Sequence, residues 1–311
     1  MIFKPDATAV VGAGRRPKGV IGLGWACLES TVSGRTEHRP VTIDYPESLV
    51  RRTSFLAGGK LGWRLSALTT PRESPTPWKI VVITGSPSWA EYWAPVMAAL
   101  PRDREMIVVD RPGFAGSEPH VCVPDIRIQA AALAPVLRRA RGQRLLLVGQ
   151  SYGAAISALM AEARPDQVDG LVLLSSYLGE SGPTARRLVD VGTRFLGVIP
   201  RDLRHAVIEV SGQAPQLVLM QRAVERLSPP IHVIHGEQDD FAPLETARRF
   251  ASGARSRRPI RFAAVPMAGH FLNDGPVDTL LNVLESCMPP QTALKPWRFP
   301  RIRGWVIPAT A

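Results

Sequence analysis

With 311 residues, 45% hydrophobic and 21% charged, the chain has the composition of a folded globular protein with one large domain or two smaller ones. No apolar run reaches the roughly 20 residues that a membrane-spanning helix needs, so we expect no integral membrane span. The formal net charge of +11 comes mainly from scattered arginines without a nucleic-acid-binding motif, so we expect no nucleic-acid partner.

The first part of the chain, residues 1–48, is rich in glycine and proline and shows no sustained hydrophobic period, so we predict an N-terminal extension. Its segment AVVGAGRRPKG has two glycines of a dinucleotide-binding loop, Gly12 and Gly14. Pro17 stands where the third glycine should be, which argues against nucleotide binding. The segment RRPKGVIGLGWA is similar to a twin-arginine export signal, but its apolar part is short and no cleavage site follows. We therefore expect a cytoplasmic protein rather than an exported one.

Three cysteines, Cys27, Cys122 and Cys287, lie far apart along the chain. Their number is odd and their spacing fits no metal site, so we interpret them as reduced thiols. The sequence shows no motif for a metal ion or an organic cofactor, and we expect the protein to need none.

The core of the predicted fold begins with a β-hairpin. The segment RRTSFLAGGKLGWRLSAL has two strand-like runs on either side of Gly58 and Gly59. From Lys79 onward, helix-like stretches alternate with short apolar runs, which are KIVVITG, EMIVVD, RLLLVG, GLVLLSS, IHVIHG and IRFAAVP. The helix-like stretches include WAEYWAPVMAAL and DIRIQAAALAPVLRRA. This alternation predicts an α/β fold with a mostly parallel central sheet and helices on both faces. We assign residues 49–176 and 229–290 to this core.

Residues 177–228 interrupt the alternation of strands and helices. They contain two helical segments, TARRLVDVGTRFLGVI and QLVLMQRAVERL, and an excursion of this length from a compact sheet is usually an insertion with its own role. We expect the insertion over the carboxyl ends of the strands, where open α/β sheets bind ligands. Five of its arginines could meet an anionic substrate or form solvated helix faces: Arg186, Arg187, Arg194, Arg201 and Arg204. The basic residues 291–311 are predicted to be a C-terminal tail that packs on the body or binds a partner.

The strongest motif is the pentapeptide GQSYG, which has the pattern G-x-S-x-G and runs from Gly149 to Gly153. It follows an apolar strand and precedes a helix of small residues, the context in which a serine on a tight turn acts as a nucleophile. The helix start also places the Tyr152 N–H beside Ser151, where it can donate to a developing oxyanion. The alternative is that Ser151 only caps the helix, but the strand, the glycines and the helix together favour the nucleophile.

A serine hydroxyl needs a base, and His270 is the best placed of the six histidines. It follows the last apolar strand, so it can reach a serine on a neighbouring strand. His232 and His235 belong to a strand and are expected to be structural. An acid must then hold the base in place, and the stretch HGEQDDFAP offers three candidates: Glu237, Asp239 and Asp240.

Four motifs, GQSYG, DRPGFAGS, HGEQDDFAP and AGHF, carry a resemblance to the α/β-hydrolase superfamily, to its branch of cap-bearing serine esterases and haloperoxidase-like enzymes. The resemblance extends from the hairpin to the helix ending near Met288. It implies an α/β-hydrolase fold in which residues 177–228 form a small helical cap. Because the family's acid stands three residues after a glycine, the resemblance favours Asp239 as the triad acid, with Asp240 as the alternative.

The resemblance also assigns a second oxyanion donor, the backbone N–H of Ser86 in the loop VVITGSPSWAEYW. Two features depart from the family pattern. Thr84 replaces the histidine of the usual His-Gly pair, and Ala115 adds a residue to the loop DRPGFAGS. Because the donor is a backbone N–H, the predicted oxyanion hole of Ser86 and Tyr152 does not depend on the missing histidine.

These residues predict an esterase- or lipase-like serine hydrolase that cleaves a carboxylic ester or a related acyl compound. Ser151 would form an acyl-enzyme, His270 would act as general base and acid, and Asp239 would orient His270. The expected partner is a small-molecule acyl substrate. The same triad could instead hydrolyse a carbon–carbon bond or carry out cofactor-free perhydrolysis, and the fold could also serve a non-catalytic binding protein. The sequence leaves the acyl chain length, the leaving group and the oligomeric state open.

Overall fold

The computed structural model describes residues 4–5 and 45–288 of the chain. Most of the predicted N-terminal extension, including its glycine-rich segment, lies outside these residues. The predicted basic tail at residues 291–311 also lies outside them.

The described residues form one sheet of nine strands in the order β1-β2-β3-β5-β4-β6-β7-β8-β9. Strands β1 to β3 pair antiparallel, and β3 pairs antiparallel with β5. The remaining pairs, from β5 through β4 to β9, are all parallel. The strands are β1 (Lys4–Pro5), β2 (Arg51–Leu56), β3 (Arg64–Thr69), β4 (Trp78–Ile83), β5 (Arg104–Val109), β6 (Arg144–Gln150), β7 (Gly170–Leu174), β8 (Ile231–Gly236) and β9 (Arg261–Val265). The predicted mostly parallel sheet is confirmed.

Eight α-helices accompany the sheet in the described part of the chain. They are α1 (Ala94–Ala98), α2 (Ile126–Leu133), α3 (Gly153–Ala163), α4 (Pro183–Arg194), α5 (Arg201–Gly212), α6 (Leu217–Arg226), α7 (Leu244–Gly253) and α8 (Val277–Ser286). Short 3-10 turns occupy Ala90–Trp93, Ala134–Leu137, Ala214–Gln216 and Leu272–Asp274. No helix among the described residues combines the length and the hydrophobicity that crossing a membrane requires.

Alternate residues of the central strands belong to two different hydrophobic cores. In β4, Val81 and Ile83 join the core that contains side chains of α2, α3 and α6. Ile80 and Val82 point the other way and join the core of α1 and α8. Because successive side chains of a strand point to opposite faces, this split places helices on both sides of the sheet, as predicted.

The predicted elements differ from the observed ones at three places, and a proline explains the first of them. The long helix predicted over DIRIQAAALAPVLRRA ends at Leu133 and continues only as a 3-10 turn, because Pro135 has no N–H to give an α-helical hydrogen bond. The strand predicted to end at Ser176 ends at Leu174, and Ser175 takes a positive φ of 44°. The helix-like segment WAEYWAPVMAAL is a 3-10 turn followed by the five-residue α1.

Three helices lie between β7 and β8, within the residues 177–228 that the sequence sets apart. Helix α6 packs on α3 and contributes to the first core. Helix α4 packs on α5. Helix α5 was not predicted from the sequence. The reason is that α5 buries polar side chains, Asp202, His205 and Glu209, on the face it turns to the body of the molecule.

Candidate active site

Ser151 lies on a tight turn between β6 and α3. Its φ of 50° is in the left-handed region, which is strained for a residue with a side chain. Gly153 makes the turn possible, because a Cβ atom there would stand 2.3 Å from the carbonyl oxygen of Ile83. The sequence motif therefore has a steric basis: the strand, the turn and the helix approach too closely for a larger residue.

Three of the predicted residues form a continuous chain of hydrogen bonds. His270 Nε2 lies 3.0 Å from Ser151 Oγ, and His270 Nδ1 lies 2.8 Å from Asp239 Oδ2. A carboxylate accepts only, so Nδ1 donates to Asp239 and Nε2 is left to accept from the serine hydroxyl. In this tautomer His270 can take the proton of Ser151.

The carboxylate of Asp239 is buried and surrounded by donors. Its Oδ1 accepts from the backbone N–H groups of Phe241, at 2.9 Å, and Ala242, at 2.8 Å. Burial acts to raise the pKa of Asp239, but the hydrogen bonds from His235 and His270 outweigh it and hold the pKa well below its usual range. Asp239 therefore stays ionised at any pH at which enzymes ordinarily work.

His235 is a neighbour of the acid that the sequence reasoning missed. Its Nε2 lies 3.0 Å from Asp239 Oδ2 and 2.7 Å from the carbonyl oxygen of Ala242. Both partners accept, so Nε2 carries the proton and donates to both. The sequence shows that His235 stands four residues before Asp239. A histidine in a buried strand can equally be a structural core residue, so this spacing alone did not indicate a contact with the acid.

The other two candidate acids do not reach His270. Asp240 Oδ2 accepts from the hydroxyl of Thr184 at 2.6 Å, which ties the loop after β8 to the first turn of α4. Glu237 is exposed to solvent. The structure thus brings Asp239, and neither neighbour, together with His270 and Ser151.

The loop after β4, which holds the predicted donor Ser86, passes directly beside the nucleophile. A Cβ atom on Gly85 would stand 3.0 Å from the Cβ of Ser151. Ser86 and Tyr152 both line the cavity into which Ser151 opens. The loop is fixed from behind by Arg111, whose Nη2 donates to Gly85 O at 2.8 Å.

Arg111 and Glu209 form an ion pair that is fully buried. The guanidinium donates through Nη1 at 2.8 Å and Nη2 at 2.7 Å to the two carboxylate oxygens. It lies between the rings of Phe114 and Tyr152, 4.8 and 4.7 Å from their centres. Glu209 also accepts from the Ser86 hydroxyl at 2.6 Å, so a residue of α5 holds the loop that carries the predicted oxyanion donor.

Three polar side chains of α5, spaced three and four residues apart, fasten this helix to the body of the molecule. Besides Glu209, Asp202 Oδ2 accepts from the Trp89 indole at 2.8 Å and from the Ala115 N–H at 3.0 Å. His205 Nδ1 lies 2.9 Å from Gly113 O. Ala115 has a positive φ of 45°, so the extra residue of DRPGFAGS turns its N–H toward α5.

A cavity of about 290 Å³ opens above Ser151. Aromatic side chains of the core contribute to it, among them Trp89, Tyr92, Phe241 and Phe271. Helices α4 and α5 contribute aliphatic side chains, namely Ala185, Leu188, Val189, Val191, Leu203, Ala206, Val207 and Val210. The described lining contains no lysine or arginine, and the five arginines singled out in the insertion are not part of it. No cluster of His, Cys, Asp and Glu in the described part of the chain could hold a metal ion.

Comparison with known proteins places this architecture among hydrolases. Residues 79–213 match a family model described as the alpha/beta hydrolase fold. The chain is 30% identical to a lipase, LipV of Mycobacterium tuberculosis, over 116 residues, which are 37% of this chain and 43% of the lipase. It is also 30% identical to a putative carbamate hydrolase, RutD of Klebsiella pneumoniae, over 40% of this chain and 48% of the relative. The matched segments thus span less than half of either relative.

Solved structures share the fold over a larger part of the chain. A thermophilic esterase from Thermogutta terrifontis superposes with a TM-score of 0.58 at 17% identity, covering 76% of this chain and 97% of the esterase. A 2-hydroxy-6-oxo-6-phenylhexa-2,4-dienoate hydrolase from Rhodococcus superposes with a TM-score of 0.62 at 17% identity, covering 76% of this chain and 98% of the hydrolase. At this identity the likeness concerns the fold alone.

Proposed function

We propose that this chain, a member of the α/β-hydrolase superfamily, is a serine hydrolase that cleaves a neutral carboxylic ester. The observation that carries the proposal is the hydrogen-bonded series Ser151, His270 and Asp239 at the floor of an apolar cavity. Each group has the partner that its role in acyl transfer requires.

In the proposed reaction, His270 Nε2 removes the proton of Ser151 as Oγ attacks the ester carbonyl carbon. The carbonyl oxygen becomes an oxyanion that the N–H groups of Ser86 and Tyr152 stabilise. His270 then gives its proton to the leaving alkoxide, and the acyl group stays on Ser151. A water molecule then attacks the acyl carbonyl carbon while His270 Nε2 takes one of its protons. The bond from that carbon to Ser151 Oγ breaks, His270 returns the proton to Oγ, and the carboxylic acid leaves.

Asp239 supports the charged form of His270 during both steps. Its depressed pKa means that it remains a carboxylate while the imidazolium forms beside it. The N–H donors of Phe241 and Ala242 and the Nε2–H of His235 fix its position. His270 is thereby held in the tautomer that has the proton on Nδ1, with the unprotonated Nε2 facing Ser151.

The lining of the cavity supports a neutral and largely apolar substrate. A carboxylate buried there would find no lysine or arginine among the described lining residues, and an unpaired buried charge is strongly unfavourable. Arg111 lies close behind the cavity, but both of its Nη atoms donate to Glu209. This favours ester cleavage over carbon–carbon bond hydrolysis of anionic dienoates, the substrates in the names of some relatives.

A matched pair of substrates tests the proposal. We expect hydrolysis of p-nitrophenyl butyrate well above background and little hydrolysis of p-nitrophenyl hemisuccinate, which has a similar length but carries a carboxylate. The Ser151→Ala variant serves as the blank. Faster turnover of the hemisuccinate would contradict the assignment of a neutral substrate, and activity of Ser151→Ala equal to that of the wild type would contradict the mechanism.

A further inference from the structure

Exposed large apolar side chains are concentrated in the helical insertion. Four of them lie on α4 and the turn after it, and we call them the mouth patch. Its members and their exposed fractions are Leu188 (44%), Val191 (52%), Phe195 (53%) and Val198 (82%). Their spacing of three or four residues places them on one side of the segment. Single exposed apolar residues are ordinary, but a grouped set marks an interaction surface.

The mouth patch is continuous with the cavity of the proposed active site. Leu188 and Val191 both contribute to the lining of the cavity while remaining about half exposed. Ile199, directly after Val198, also lines it. An apolar molecule leaving a surface in contact with the patch would therefore enter the cavity without crossing water.

Positive charge accompanies the mouth patch. Arg186, Arg187 and Arg194 are exposed on α4, and none of the three makes an ion pair with a described residue. Asp190 is the one acid of α4 and is also exposed, so this helix carries three arginines against one carboxylate. The acids of α5, Asp202 and Glu209, are buried and already accept hydrogen bonds, so they do not offset this charge at the surface. The surface around the patch is thus basic, in keeping with the net charge of +11.

We propose that the mouth patch docks on the surface of an anionic lipid bilayer. An apolar helix face beside exposed arginines is the pattern of an interfacial helix, whose apolar side chains enter the headgroup region while its cations meet anionic lipids. A second copy of the chain fits less well, because a symmetric contact would bring the same arginines together and like charges repel. Docking would turn the mouth of the cavity toward the bilayer.

Docking does not depend on hydrolysis, so the test uses the full-length Ser151→Ala protein. The protein is floated with vesicles of phosphatidylcholine alone or of an equal mixture with phosphatidylglycerol. We expect binding to the anionic vesicles that weakens as salt is added, and little binding to the neutral ones.

Two pairs of substitutions separate the apolar and the charged contributions. Phe195→Ser with Val198→Ser removes patch side chains outside the cavity lining, and we expect roughly tenfold weaker binding or worse. Arg186→Gln with Arg187→Gln should weaken binding to the anionic vesicles by roughly 30-fold, since each basic residue near such a surface contributes about fivefold.

Matched controls lie outside the insertion. Leu56→Ser with Val121→Ser removes two side chains that are 66% and 63% exposed, and Arg255→Gln with Arg258→Gln removes two exposed arginines. We expect both control proteins to bind as the parent does. Absence of vesicle binding would overturn the proposal, as would unchanged binding of the patch variants or equal loss in the controls. A dimer in gel filtration that dissociates on Phe195→Ser with Val198→Ser would assign the patch to a second copy instead.

Discussion

The side chain of Asp239 accepts hydrogen bonds at both of its oxygens. His270 and His235 donate to Oδ2, and two backbone N–H groups donate to Oδ1. Because the folded protein depresses the pKa of this carboxyl, its ionisation stabilises the fold above the unfolded value of about 3.9. That contribution is lost only as the pH falls through the lower pKa of the folded state.

Substitutions of the adjacent residues Asp239 and Asp240 distinguish which carboxylate is the triad acid. Asp239→Asn replaces an acceptor of His270 with an amide, and we expect kcat to fall by up to about 10⁴-fold. Asp240→Asn affects only the hydrogen bond to Thr184, and kcat should change little. Ester hydrolysis by the two purified variants checks this. A larger loss of kcat in Asp240→Asn than in Asp239→Asn would show that Asp240 is the triad acid.

We expect His235 to act as a positioning residue that holds the carboxylate of Asp239 in place. His235→Ala removes a donor to Asp239, and we expect kcat to fall by roughly 10- to 100-fold with KM little changed, as for the loss of a hydrogen bond to a charged group. His235→Gln should restore much of the rate, because its amide nitrogen can take the place of Nε2. If both variants lose the same activity, or if only their stability falls, His235 has a packing role alone.

At the scale of single elements, α5 joins the insertion to the loop beside the nucleophile. Its carboxylate Glu209 meets Arg111 and Ser86, and Arg111 in turn donates to Gly85 O. A buried ion pair is not by itself evidence of stability, but breaking one by removing a single partner is strongly unfavourable. The position of α5 and the geometry of the loop are therefore coupled.

Glu209→Gln tests this coupling. The substitution keeps the size of the side chain and leaves the guanidinium of Arg111 buried without a counter-charge, so we expect the free energy of unfolding to fall by about 3–5 kcal/mol. Urea unfolding measures the loss, and ester hydrolysis should show a lower kcat as the Ser86 loop loosens. Glu225→Gln, an exposed carboxylate on α6, is the matched control. A Glu209→Gln protein as stable as this control would contradict the coupling.

An element or contact could be predicted from the sequence when the residues that specify it are adjacent in the chain. The turn around Ser151 was predicted because strand, glycines and helix are adjacent in the sequence. Arg111 and Glu209 were missed because they lie 98 residues apart and each, taken alone, is an ordinary charged residue. Helix α5 also escaped detection. Its apolar residues recur at helical spacing, but the polar side chains Asp202, His205 and Glu209 share its buried face and obscure that pattern.

At the scale of the whole molecule, buried neutral histidines should make the fold sensitive to acid. Burial lowers the pKa of His205, although its hydrogen bond with Gly113 O acts in the opposite direction. Burial and then Arg261 lower the pKa of His232. Because the unfolded chain binds these protons more readily, the stabilisation is complete above the unfolded pKa of about 6.5 and is lost as the pH falls toward the folded values.

His205→Asn tests the acid sensitivity. The asparagine amide can still donate to Gly113 O but does not titrate, so we expect a shallower fall in the free energy of unfolding below about pH 6.5. His205→Asn with His232→Asn should flatten the profile further. Urea unfolding from about pH 5 to 8 gives the slopes. Wild-type slopes in both variants would show that other groups cause the acid sensitivity.

The alternation of short apolar runs with helix-like stretches was enough to predict the architecture of the whole molecule, a mostly parallel sheet with helices on both faces. The grouping of Leu188, Val191, Phe195 and Val198 at the cavity mouth did not follow from it. Apolar residues at helical spacing usually face a core, and only the packing of α4 on α5 shows which of them remain exposed.

The most direct test of the central claim is covalent labelling of Ser151 by a fluorophosphonate probe, read by mass spectrometry of the digested protein. We expect one label per chain, on the peptide that contains Ser151, with no label on Ser151→Ala and much slower labelling of Asp239→Asn. A wild-type protein that stays unlabelled, or a Ser151→Ala protein labelled to the same extent, would contradict it.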